Sequence, residues 1–129
     1  MTKKFHKNCF ACGEHSKRGL RLEFKILENN TLYGKFKISN HYQGYQNLSH
    51  GGIISTILVS SMINLFYMKD GLELKTAKLN IRFRKSIPTE KKFTVSAIAR
   101  NYAWHFYRAK SQIKIKDTVF AEAEGYFRE

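Results

Sequence analysis

Residues 51–70 read GGIISTILVSSMINLFYMKD and form the longest apolar stretch of a chain of 129 residues. Its apolar positions cover much more than one narrow helical stripe, which predicts a helix buried on most sides. Six β-branched residues between positions 53 and 63 lower its intrinsic helix propensity. Tertiary packing must therefore hold this helix. Two glycines open it, and Asp70-Gly71 ends it because glycine suits a left-handed cap.

The sequence on both sides of the helix has the pattern of strands. Two runs precede it, Leu20–Leu27 and Thr31–Ile38, and Glu28-Asn29-Asn30 between them is typical of a hairpin turn. Four runs that alternate apolar and polar residues with period two follow it, within residues 79–84, 93–99, 106–115 and 119–126. The order predicts an α+β domain, an antiparallel sheet of about six strands wrapped around one long central helix.

Size and composition favour one folded domain spanning 1–129. The chain has no repeat, no linker, one proline and 43% hydrophobic residues. No segment resembles a signal peptide, and the apolar run 53–68, interrupted by serine, threonine and asparagine, is short for a bilayer span. We therefore expect a soluble, cytoplasmic protein. Two cysteines are too few for a secreted disulfide scaffold.

The charge of the chain is strongly positive, with 23 Lys and Arg against 10 Asp and Glu. Such a field attracts nucleic acid, anionic membranes, acidic carrier proteins and the phosphates of coenzyme A alike. The basic residues are spread along the sequence and form no basic arm, which argues against a dedicated nucleic-acid tail. Nucleic acid is therefore not the expected partner.

Four groups of residues, in chain order, carry a resemblance to a known family. They are Cys9–Gly13 with Arg18–Phe24, Gln43–Tyr45 with His50–Leu58, Thr76–Phe83 with Pro88, and Ala121–Phe127. Together they resemble the hotdog-fold acyl-CoA thioesterases of the phenylacetate-degradation branch. The resemblance implies a hotdog fold, hydrolysis of an acyl-CoA or acyl-carrier-protein thioester, and a homodimer or homotetramer with coenzyme A at the subunit interface. Coenzyme A is part of the substrate, and no separate cofactor is implied.

The resemblance also implies a site at the helix start. Backbone N–H groups of Gly51 or Gly52, at the positive end of the helix, would polarise the thioester carbonyl. The alternative is a tight turn with no chemistry. His50 is expected to order the loop rather than to act as a base.

The residue that similar proteins use to activate water is missing. They carry an Asp or Glu at the positions of Val59 and Ser60. Valine does no acid–base chemistry, and a serine on a buried helix is usually a satisfied structural hydroxyl. Thr76 matches a hydroxyl that helps to hold the water, and Asn47 lies in the loop before the helix. Two hypotheses follow, a thioester hydrolase without the usual acid and a non-catalytic acyl-thioester binding protein.

Two further groups of residues are candidates for ligand contacts. Arg82, Arg84, Lys85 and Lys91 flank Pro88. Either they contact the phosphates of coenzyme A, or they lie on a solvent-exposed strand edge, where lysines discourage sheet-to-sheet aggregation. His6, Cys9, Cys12 and His15 stand three residues apart, which is unlike the usual spacing of a zinc site. No metal site is predicted.

Overall fold

The computed structural model describes residues 7–100 and 106–129. Its elements are β1 (Lys25–Ile26), β2 (Leu32–Lys37), a 3-10 turn (Asn40–Tyr42), α1 (Gly51–Asp70), β3 (Lys75–Phe83), β4 (Lys92–Ala99), β5 (Tyr107–Ile115) and β6 (Thr118–Arg128). The six strands form one antiparallel sheet in the order β1-β2-β4-β5-β6-β3. The predicted α+β arrangement of six strands around one helix is confirmed.

The first predicted strand is much shorter than expected. Strand pairing begins only at Lys25, because the residues before it bond to the N-terminal loop instead. Leu20 N–H donates to the Phe10 carbonyl and Leu22 N–H to the Ala11 carbonyl, both at 2.8 Å. Arg21 between them has a φ of 54°, which no regular strand contains. Apolar alternation in this segment therefore reflects packing over the core rather than sheet pairing.

The helix has the ends and the burial that the sequence predicts. Gly71 follows α1 with a φ of 72°, and its N–H reaches the carbonyls of Phe66 and Tyr67. Buried side chains occur on several sides of α1, including Ile57, Leu58 and Leu65. The sheet packs against one side of α1 and residues 9–24 pack against another. This tertiary packing offsets the weak intrinsic helix propensity.

Small residues on β6 let the helix approach the sheet. A side chain at Gly125 would meet the Phe127 ring at 2.6 Å and the Met62 methyl group at 3.1 Å. Nearby, the buried hydroxyls of Ser61 on α1 and Ser111 on β5 lie 2.6 Å apart. Through these contacts α1 packs directly on the middle of the sheet.

Within the described part of the chain, α1 is the one helix with the length and apolar composition of a membrane span. Half of its most apolar window is buried inside the protein. Core helices of folded domains share these properties, so tertiary packing explains its apolar character.

One edge of the sheet is open. β3 pairs with β6 on one side and with no described strand on the other. Leu79 and Ile81 on this strand are half-buried, and the Phe83 side chain is 53% exposed. The edge therefore presents both unpaired backbone groups and apolar side chains.

Candidate active site at the helix start

A tightly bonded loop leads into α1. Gly44 N–H donates to the Leu48 carbonyl at 2.8 Å, and His50 N–H to the Tyr42 carbonyl at 2.9 Å. Asn47 has a left-handed φ of 62°, and its N–H donates to the Gln43 side chain at 2.8 Å. The loop backbone is thus fixed before the helix begins.

His50 is the N-cap of α1. Its Nδ1 accepts a hydrogen bond of 2.8 Å from the N–H of Gly52. An accepting Nδ1 carries no proton, so the neutral ring holds its proton on Nε2. This contact fits the expectation that His50 orders the loop, and it occupies the N–H of Gly52.

The cap predicts a specific stability effect. We expect His50→Ala to lower the free energy of unfolding by about 1 kcal/mol, because an N-cap side chain satisfies a helix N–H that is otherwise unpaired. His50→Asn should keep most of that stability, since asparagine is among the best N-caps. Urea unfolding of the three proteins measures both changes, and an equal loss in the two variants would contradict the capping role.

Gly51 supplies the N–H that the cap leaves available. It is exposed, and its N–H has no acceptor among the described residues. The ring of Phe83 stands beside it, with ring carbons 3.7 and 3.8 Å from the position that a Cβ at Gly51 would occupy. An exposed donor at the positive end of a helix, next to an apolar ring, is suited to a thioester carbonyl.

Val59 and Ser60 lie on different sides of the helix. Val59 follows Gly52 by seven residues, so it lies within about 20° of the same helical face and about 10 Å further along the axis. It is half-buried there. Ser60 is turned by a further ~100° and is 6% exposed. The side chain that lines the helical face leading away from Gly52 is therefore valine.

Ser60 belongs instead to a buried polar cluster with Cys12 and Asn64. Asn64 Nδ2 donates to the Ser60 carbonyl at 2.9 Å and to Ser60 Oγ at 3.3 Å. Burial raises the pKa of the Cys12 thiol to about 11, although hydrogen bonds from Asn64 and Ser60 act in the opposite direction. Ser60 is thus a satisfied structural hydroxyl, and the structure does not bring it to the helix start.

The same cluster bears on the metal prediction. A thiol held protonated by burial is a poor zinc ligand, since zinc binds the thiolate. Among residues 7–100 and 106–129, no group of three or more His, Cys, Asp or Glu side chains is placed to hold a metal ion. His6, named with Cys9, Cys12 and His15 above, lies outside the described residues.

Thr76 is far from the helix start within one chain. It is the second residue of β3, and Phe83, whose ring stands beside Gly51, ends the same strand. Seven residues of extended strand separate them by about 23 Å. Both side chains lie on the sheet face that carries α1, since Thr76 pairs with Phe127 and Phe83 with Ala121. A single chain therefore does not unite Thr76 with Gly51.

The basic candidates divide between two places. Arg82 lies opposite Glu122 in the sheet register, and Arg84 forms an ion pair with the same carboxylate at 2.5 Å. Both arginines thus lie on the sheet face turned away from α1. Lys85 Nζ lies 5.8 Å from the centre of the Phe120 ring, and Lys91 is exposed in the turn before β4. The helix start and the two arginines therefore lie on opposite faces of the sheet, near the open β3 edge.

Comparison with known proteins gives a match of structure and not of sequence. No family model matches the sequence, and neither does any curated protein. A solved thioesterase superfamily protein superposes with a TM-score of 0.85 at 19% identity, over 94% of this chain and 63% of the other. The chain thus spans less than two thirds of that protein.

Two further solved structures match over most of both chains. The E. coli PaaI protein from the phenylacetic acid degradation operon gives a TM-score of 0.76 at 13% identity, over 85% of this chain and 80% of the other. A Streptococcus mutans protein solved with acetyl CoA bound gives 0.74 at 14% identity, over 83% and 86%. At such identities the agreement is one of fold. The chain therefore has the hotdog fold that these thioesterase-superfamily structures share.

Proposed function

We propose that the protein is an acyl-CoA or acyl-carrier-protein thioesterase whose site lies at the start of α1 and is completed by a second copy of the chain. One observation carries the proposal. The exposed N–H of Gly51 has no acceptor within the described chain, while the neighbouring N–H of Gly52 is occupied by His50. A thioester oxygen placed there would receive a hydrogen bond at the point where negative charge develops during hydrolysis. The binding of acetyl CoA by a structural neighbour supports this class of ligand.

The acyl group would lie along the apolar stripe on the helical face that leads from Gly52, next to the proposed donor at Gly51. Val59 and Ile63 on α1 and Leu79 and Ile81 on β3 are half-buried apolar side chains in the described chain. Burying them against an acyl chain and a partner subunit removes further apolar surface from water. Acyl-CoA and water are consumed, and coenzyme A is released as a product together with the acid, so no resident cofactor is invoked.

The open edge of β3 supports a dimer. Pairing two copies of β3 antiparallel, centred on Asn80, extends the sheet and satisfies its unpaired backbone groups. The one-residue register shift between Thr76 and Lys78 then brings the partner's Thr76 opposite Phe83, beside Gly51. Each of two sites would then contain Gly51 from one subunit and Thr76 from the other, which explains why one chain holds them about 23 Å apart.

Mixed dimers test this shared site. We expect Gly51→Pro and Thr76→Ala each to depress hydrolysis as homodimers, and their coexpression to restore it. A mixed dimer has one site with both changes and one with neither, so random pairing should return about a quarter of the wild-type rate. Thiol release measures the rate, and light scattering should give a mass of twice 15.1 kDa. Absence of restoration in verified mixed dimers would contradict the shared site.

Val59 favours a second candidate function, binding without hydrolysis. The described stripe offers no carboxylate at the position where similar proteins place one. Thiol release, followed across short, long and aromatic acyl-CoAs, separates the two. Turnover of any of them supports the hydrolase. Thermal stabilisation by acyl-CoA without thiol release supports the binder, and absence of both contradicts the site.

A further inference from the structure

The face of the sheet turned away from α1, called here the outer face, collects basic residues. Alternation along the strands points Val95, Ala109 and Ala121 to the core and their neighbours outward. Register then places eleven Lys or Arg side chains of the strands on the outer face against two carboxylates, Glu122 and Glu124. The eleven cations are Lys25, Lys35, Lys37, Lys75, Lys78, Arg82, Lys92, Arg108, Lys110, Lys114 and Arg128.

The two carboxylates are already engaged. Glu122 pairs with Arg84 at 2.5 Å, and Glu124 accepts a hydrogen bond from Arg108 that lowers the pKa of its carboxyl. Lys37 contacts Glu90 at 3.7 Å. The other nine cations form no ion pair within residues 7–100 and 106–129. They are Lys25, Lys35, Lys75, Lys78, Arg82, Lys92, Lys110, Lys114 and Arg128.

A shallow cavity of about 650 Å³ lies at the centre of the outer face. Its walls carry the cations Arg82 and Lys110, the hydrogen-bonding side chains of Asn80, Ser96 and Gln112, and the carboxylates of Glu122 and Glu124, which Arg84 and Arg108 neutralise. Cations and neutral donors in one depression suit the phosphate and sugar oxygens of an anionic ligand. From β2 to β3 the basic array spans four strand intervals, about 19 Å, which exceeds the size of one phosphate group.

The chemistry of the face disfavours two other occupants. A second copy docked through it would bring eleven cations against eleven, and such like-charge contact is repulsive. A flat bilayer would bridge the central cavity, and in the described chain Ile98 and Phe106 are the exposed large apolar side chains that alternation turns outward. The tyrosine rings are covered, because Lys25 lies 5.7 Å from the Tyr33 centroid and Arg108 lies 5.1 Å from that of Tyr126.

We propose that the outer face binds single-stranded nucleic acid through its sugar–phosphate backbone, an activity separate from thioester chemistry. A flexible strand can follow the depression and neutralise the unpaired cations. Since the tyrosine rings are already engaged by cations, bases have little surface on which to stack. Binding is therefore independent of sequence and strongly dependent on salt. The dispersion of basic residues along the chain does not oppose this, because the strands bring them together.

Fluorescence anisotropy with a labelled oligodeoxythymidylate of about 20 nucleotides tests the proposal. For four phosphate contacts, affinity should fall about 50-fold between 50 and 200 mM salt. The variant Lys35→Gln/Lys110→Gln/Lys114→Gln removes three outer-face cations. The control Lys7→Gln/Lys17→Gln/Lys69→Gln removes the same charge from the N-terminal segment and α1.

We expect the outer-face variant to reduce the slope of log affinity against log salt by about 2, and the control to leave it unchanged. Thermal unfolding verifies that both variants are folded, and thiol release should be unaffected because none of these lysines belongs to the helix-start site. Equal changes in the two variants would show a general effect of charge and overturn the proposal. Absence of binding at 50 mM salt would also overturn the proposal. The same holds if the protein binds phosphatidylglycerol vesicles more tightly than the oligonucleotide and the outer-face changes abolish that vesicle binding.

Discussion

Val59→Asp should raise the rate of acyl-CoA hydrolysis about 100-fold or more, because a positioned general base contributes roughly 10²–10⁴-fold. Val59 lies on the same helical face as Gly52 and is half-buried, so a carboxylate there would project into the stripe proposed to hold the acyl thioester, with limited solvation. Thiol release under saturating acyl-CoA measures the change in kcat.

Two variants control for size and for position. Val59→Asn has almost the same shape as the aspartate without its basicity, and it should leave the rate near that of the wild type. Ile63→Asp places a carboxylate one turn further along the helix and should not accelerate hydrolysis. If Val59→Asp alone has activity, the natural protein is a binder. If Val59→Asp is no faster than Val59→Asn in a wild type that turns over, Val59 does not face the thioester.

Gly51→Pro should reduce kcat by about 10²–10³-fold, the usual cost of losing one oxyanion donor. Proline lacks the N–H, yet it is favoured at the first position of a helix, where that N–H has no partner within the helix. The preceding His50 has φ −66° and ψ 135°, an extended conformation that a following proline accepts. The substitution therefore removes the proposed donor while sparing the helix.

Gly51→Ala is the matched control because it adds a side chain and keeps the N–H. Its Cβ would meet the Phe83 ring at 3.7 Å, an ordinary contact distance. We expect it to retain most activity and both variants to unfold near the wild-type temperature. Equal losses of kcat in the two variants would show that space at Gly51 matters and its N–H does not.

Local patterns in the sequence predicted most of the fold. The continuous apolar run up to Asp70 gave the helix, and period-two alternation gave β2 and the four later strands, because burial follows the periodicity of each element. Residues 20–24 depart from this rule. Their alternation is that of a strand, yet Leu20 and Leu22 bond to the loop at Phe10 and Ala11. Alternation indicates which side chains are buried, but it does not indicate which segment the backbone forms hydrogen bonds with.

The candidate site was only partly visible in the sequence. The two glycines and the absence of the usual acid are evident in the sequence. Which of the two glycine N–H groups is capped and which is left available depends on the position of the His50 ring. Val59 and Ser60 are neighbours in sequence, but the helical rotation of ~100° per residue separates them. Val59 faces the apolar stripe of α1, and Ser60 faces Cys12 and Asn64.

The order of elements, the buried helix and the glycine turn at its start follow from residues close together in the chain, so local patterns predict them. Which distant residues meet depends on the tertiary structure. Antiparallel pairing placed Arg82 opposite Glu122 and gathered cations from all six strands on one face, and the direction of β3 separated Thr76 from Gly51. The physical reason is that strand register joins residues far apart in sequence, and no local pattern encodes that register.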